Sequence, residues 1–74
     1  MRKYKLELDD FDLGQLLDGL ETRAVIWENT AEFHRTGESD TVIEECRDAE
    51  EAEKIAAHYR SIIAKVRTQR EAQL

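Results

Sequence analysis

The chain has 74 residues, no proline, three glycines and 38% charged residues, a composition that limits it to one small domain and favours long helices over a turn-rich β fold. A net charge of −6 and a pI near 4.8 argue against nucleic acid or an anionic membrane as a direct partner, because both recruit clustered Lys and Arg. A chain of this size buries only about 60% of the surface its unfolded form exposes, so a second copy or a protein partner is expected to add to a marginal core.

At the N-terminus, "KYKLEL" alternates polar and apolar residues and places Tyr4, Leu6 and Leu8 on one face, which predicts a short half-buried strand over residues 3–8. Asp9, Asp10 and Asp12 then offer an N-cap and negative charge at the positive end of a helix. Leu13, Leu17, Leu20, Ala24, Trp27, Ala31 and His34 follow at alternating spacings of four and three, a single seam along a helix predicted over 10–36. Gly37 is placed to end it.

Residues 37–47 read as the linker, in which "TVIEEC" is able to form a short extended piece, and Asp48 caps the next helix. That second helix, predicted over 48–70 with a frayed tail at 71–74, carries Ala52, Ile55, Ala56, Tyr59, Ile62, Ile63 and Val66 as one broad stripe. Two helices of similar length joined by one linker suit an antiparallel hairpin. Charge favours the same orientation: acids Asp9, Asp10, Asp12, Asp18 and Glu21 meet no cation in their stretch, while Lys54, Arg60, Lys65, Arg67 and Arg70 meet no acid in theirs. The predicted fold is therefore mainly α, an antiparallel hairpin of two long amphipathic helices with a short N-terminal strand. A compact βαβα unit with a broken first helix is the alternative.

The backs of the helices raise a separate question. Ile26 and Phe33 fall about 130–150° from the seam at 100° per residue, with Gly19 and Thr30 between them and the seam. On the second helix Ala57, Ser61, Ala64 and Thr68 make a stripe of small residues. Large apolar residues one heptad apart on an open face call for cover, which the N-terminal strand or a second chain can provide. A two-fold homodimer would be a four-helix bundle in which "KYKLEL" of one chain meets "TVIEEC" of the other. Gly19, Ile26, Thr30, Phe33, Ala57, Ser61 and Ala64 are the candidate interface residues.

No catalytic constellation stands out. His34, His58 and Cys46 are metal-ligand types, yet zinc sites take three or four ligands, and only His34 and Cys46 are placed to meet, at the turn. Glu50 with Glu53, and Asp18 with Glu21, have the three-residue spacing that a magnesium-dependent helical phosphohydrolase would use, but acids in a first helical turn account for the former equally well. There is no glycine-rich phosphate loop, GxSxG or CxxC, and no cofactor is implied. Arg47 and the second helix's arginines could line a pocket for a small phosphorylated ligand between subunits, against the simpler reading that they answer the first helix's acids.

With one cysteine there is no internal disulfide. No apolar run nears the ~18 residues of a membrane span, and "MRKYKLELDD" lacks the apolar core of a signal peptide, so a cytoplasmic setting is expected. The functional expectation is a small acidic, non-enzymatic, homodimeric adaptor or inhibitor that binds a protein with a basic surface, such as a nucleic-acid-handling protein. The acidic face expected to meet that partner is Glu50, Glu51 and Glu53.

Overall fold

A computed structural model describes residues 1–39 and 41–74. It contains α1, Asp10–Thr36, and α2, Ala49–Ala72, packed side by side as an antiparallel hairpin. The bounds of α1 are those predicted from the sequence; α2 starts one residue later than predicted, after its cap Asp48, and runs two residues further, through Glu71 and Ala72, both good helix formers.

The helix ends obey local chemistry. The Asp9 carboxylate accepts the Asp12 N–H at 2.8 Å, and the Asp48 carboxylate accepts the Glu51 N–H at 2.9 Å, each satisfying an amide that the first turn leaves free. Gly37 closes α1 in the left-handed conformation, φ 77°, and donates its N–H to the Phe33 carbonyl at 2.7 Å. That backbone region disfavours a Cβ, so glycine is the residue suited to the position.

The predicted seams face each other. Near the open end of the hairpin Leu17, Ala24 and Ile63 form one cluster, flanked by Leu13, Leu20, Tyr59 and Val66. Toward the linker Trp27 packs with Ala31, Ala52 and Ala56, flanked by Cys46, Ile55 and Tyr59. Alanines on both helices keep the contact close but contribute little apolar surface each, so Leu17, Trp27 and Ile63 carry most of the buried area. Trp27 is 9% exposed and its Nε1 has no acceptor among the described residues, an orphaned donor of a kind that costs about 1–3 kcal/mol.

Two expectations are corrected here. Residues 3–8 form no strand: the described residues contain no strand, and Tyr4 and Leu6 are 78% and 75% exposed. Alternation alone cannot make a strand where no edge offers partners for its N–H and C=O groups. Residues 41–46 likewise form no strand, and they do not sit as a cap at one end of the rod. They lie against the back of α1. The α/β alternative with a broken first helix falls with them, since α1 is continuous.

The result is an extended molecule, 43 × 28 × 16 Å with a radius of gyration of 14.7 Å; a compact chain of this length would have about 11 Å. Its accessible surface is 6135 Å², whereas a compact monomer of 8.6 kDa exposes about 4,700 Å². Roughly 1,400 Å² is open beyond the norm. No helix among the described residues is long and apolar enough to cross a membrane.

Trp27→Ala is expected to lower stability by about 3–5 kcal/mol, enough to unfold a marginal chain. Trp27→Phe keeps most of the ring volume and removes the orphaned N–H, so it should cost markedly less. Urea denaturation followed by circular dichroism measures both, and equal losses would mean that Trp27 does not fill the core.

Candidate interaction surface

Thr30 is fully buried. Its hydroxyl donates to the Ile26 carbonyl one turn back at 2.8 Å and accepts the backbone N–H of Glu44 at 2.9 Å. The donor role is spent on an otherwise helix-satisfied carbonyl, leaving the oxygen lone pairs aimed outward to hold the linker. A second tie reinforces the first: Arg23 pairs with the Glu44 carboxylate at 2.8 Å, and its guanidinium lies 6.0 Å from the centre of the Tyr59 ring. Tyr59 first and then Glu44 raise the Arg23 guanidinium further above its already high ordinary value. One side chain thus joins α1, α2 and the linker.

Of the candidate interface residues, Thr30 therefore lies beneath the linker, and Ile26 and Phe33 are half-buried. Within the chain this partial cover comes from the linker, not from an N-terminal strand. Gly19, Ala57, Ser61 and Ala64 are exposed, and a Cβ added at Gly19 would meet nothing within 4 Å. The seven do not share one open face: the linker lies over Thr30 and partly over Ile26 and Phe33, while Gly19 and the α2 stripe are exposed.

The three acids of α2 each meet a cation of their own chain. Glu50 pairs with Lys54 at 3.2 Å, Glu51 with Arg47 at 3.1 Å while also accepting the Arg47 N–H, and Glu53 with Arg35 of α1. Arg60 bridges to α1, with Nη1 at 2.5 Å from Glu21 and Nη2 at 2.8 Å from Glu28. Glu28 first and Glu21 second hold the Arg60 guanidinium above its ordinary value, and Arg60 in turn holds the Glu28 carboxyl below its ordinary 4.5 against a smaller desolvation effect. The antiparallel charge match read from the sequence is realised in this contact. It also uses Arg60 for a structural pair, leaving Arg67 and Arg70 without an ion pair among the described residues.

The uncompensated charge lies elsewhere. Asp10, Asp12 and Asp18 have no ion pair among the described residues, and Phe11, between the first two, is 74% exposed. Phe11, Gln15, Asp18, Thr22 and Asn29 lie within a narrow arc opposite the core seam at 100° per residue. Further along this back face, Thr22, Val25, Ile26 and Asn29 of α1 and Thr41 and Val42 of the linker border an apolar groove of about 390 Å³. Sequence reasoning assigned Tyr4, Leu6 and Leu8 to a strand and gave Phe11 and Val42 no role. The signal for Phe11 was its position outside the seam, between two acids.

His34 and Cys46 do meet at the turn, Nε2 to Sγ 3.3 Å, with the thiol also 3.4 Å from the Asp48 carbonyl. No group of three or more His, Cys, Asp or Glu side chains suited to a metal ion occurs among the described residues. Comparison with protein-family models, with curated proteins and with solved structures gave no match.

Two variants probe these ties. Thr30→Val preserves the shape but strands the Glu44 amide, so stability should fall by about 1–2 kcal/mol and hydrogen exchange at the Glu44 amide should quicken while α1 stays helical. Unchanged exchange would mean that the linker is held by something else. For Glu28, the folded-state carboxyl titrates below its unfolded value, so the stability from its pair with Arg60 is complete above about pH 4.5 and is lost as pH falls through the lowered value. Both side chains are substantially exposed, so solvent screening keeps the contribution small. The urea midpoint of Glu28→Gln should trail the wild type at neutral pH and converge with it as pH falls through the lowered value.

Proposed function

We propose that the protein is a small protein-binding module, without catalytic activity, that self-associates and acts as a homodimeric adaptor or inhibitor of a protein with a basic surface. The observation that carries this reading is the N-terminal stretch of α1, residues 10–18, where an exposed Phe11 stands among Asp10, Asp12 and Asp18, which make no ion pair among the described residues. An aromatic residue that can be desolvated on docking, surrounded by charge of one sign, is the composition of a binding hot spot with a steering rim.

Charge placement refines the expectation formed from the sequence. Glu50, Glu51 and Glu53 sit beside Lys54, Arg47 and Arg35, which weakens the field they project, so α1 supplies the partner-facing acids. Helix polarity favours acids in a first turn, but Asp18 is beyond that turn and gains little from it. Self-association is supported by the roughly 1,400 Å² of surface open beyond the norm for this mass, set against about 800 Å² per partner in a standard interface.

The test is capture of binding proteins from the source cell with the full chain as bait, followed by association kinetics with the captured protein. The on-rate should fall at least about tenfold from low to physiological salt, and Asp10→Asn/Asp12→Asn/Asp18→Asn should lower it about tenfold at low salt. Phe11→Ala should act mainly on the off-rate. An on-rate indifferent to both salt and the triple variant would remove the basic-partner reading.

A further inference from the structure

We infer that residues Arg2–Leu8 of a second copy of this chain occupy the groove between α1 and the linker, each copy giving its segment and receiving the other's. The inference rests on the self-association proposed above and names its seat.

The segment and the groove match in chemistry and in repeat. Tyr4, Leu6 and Leu8 project from one side of an extended chain every second residue, about 6.6 Å apart. On α1 the groove-lining positions Thr22, Val25 or Ile26, and Asn29 follow at three- and four-residue steps, about 4.5–6 Å each. A segment running antiparallel to α1 sets Leu8 near Thr22, Leu6 between Val25 and Val42, and Tyr4 near Asn29. The same direction carries Arg2 and Lys3 toward the linker end of α1. There Glu38 and Glu45 have no ion pair among the described residues and both are exposed.

The chain's own segment cannot bring Leu6 or Leu8 to this place. Asp9 to Val25 is sixteen residues of helix, about 24 Å, whereas the three residues from Asp9 back to Leu6 span at most about 11 Å. Asp9 is extended, with φ −79° and ψ 177°, and residues 1–8 are exposed along their whole length. A contact between Leu6 and Val42 is therefore a contact between copies. Reciprocity closes the assembly at two chains, since an antiparallel segment in each groove obeys a two-fold axis. Tyr4, Leu6, Val25 and Val42, all exposed in the single chain, would be covered together.

The segment lies outside both core clusters, so it can be altered without touching the hairpin. Leu6→Cys and Val42→Cys, each made in a Cys46→Ser background, are mixed and oxidised. The expected product is a disulfide-linked pair of one chain of each kind, forming at least tenfold faster than with a control mixture of Val42→Cys and Leu74→Cys. In light scattering, Leu6→Asp/Leu8→Asp should weaken the dimer at least about 100-fold with helical circular dichroism unchanged. If the wild type is dimeric but the cross-link does not exceed the control and Leu6→Asp/Leu8→Asp dimerises normally, the seat is wrong while self-association stands. A wild type that is monomeric at micromolar concentration overturns both.

Discussion

Two helices laid side by side bury one stripe each and leave the rest of both surfaces open. Every unusual feature of this molecule follows from that constraint. The stripes meet through Leu17, Trp27 and Ile63 with alanines between, which brings the helices close but gives a thin core. A third layer is therefore needed, and the linker is used for it: Thr30 and Arg23 hold Glu44 against the back of α1, so that residues 41–46 half cover Ile26 and Phe33.

Drawing the linker back along α1 has a geometric consequence. It raises a second wall beside the helix, and Val42 and Thr41 stand opposite Val25 and Ile26 with an apolar groove between them. Without the Thr30 bridge this groove would be an open helix face. The same element that completes the monomer thus prepares a seat for apolar side chains from elsewhere. Leu6 and Leu8 of the same chain lie too near the start of α1 to reach it.

Electrostatics divides the acids into two populations. Glu50, Glu51 and Glu53 of α2 and Glu21 and Glu28 of α1 are answered by Lys54, Arg47, Arg35 and Arg60, and the pairs of Arg35 with Glu53 and of Arg60 with Glu21 and Glu28 tie the two helices together. Asp10, Asp12 and Asp18 remain unanswered and surround Phe11. Net charge alone does not make this distinction, because a paired and an unpaired carboxylate count equally in the sum but differ greatly in the field they send into solvent.

What the sequence determined by itself is what depends on neighbours within a turn or two. The bounds of α1, an aspartate N-cap among Asp9, Asp10 and Asp12, its end at Gly37, the cap of α2 at Asp48 and the two facing seams all rest on periodicity and on local hydrogen bonds, and these act within a few residues. The path of the linker, the burial of Thr30 and the fate of the N-terminal segment were decided only in three dimensions. Thr30 looks the same in sequence whether its hydroxyl faces water or the Glu44 amide, fourteen residues away. Glu50, Glu51 and Glu53 read as a free acidic face until Arg35 of the other helix is placed beside one of them. The alternation of Tyr4, Leu6 and Leu8 specifies a strand only when an edge is present to receive it, and whether an edge or groove exists is a property of the assembled surface, not of the segment.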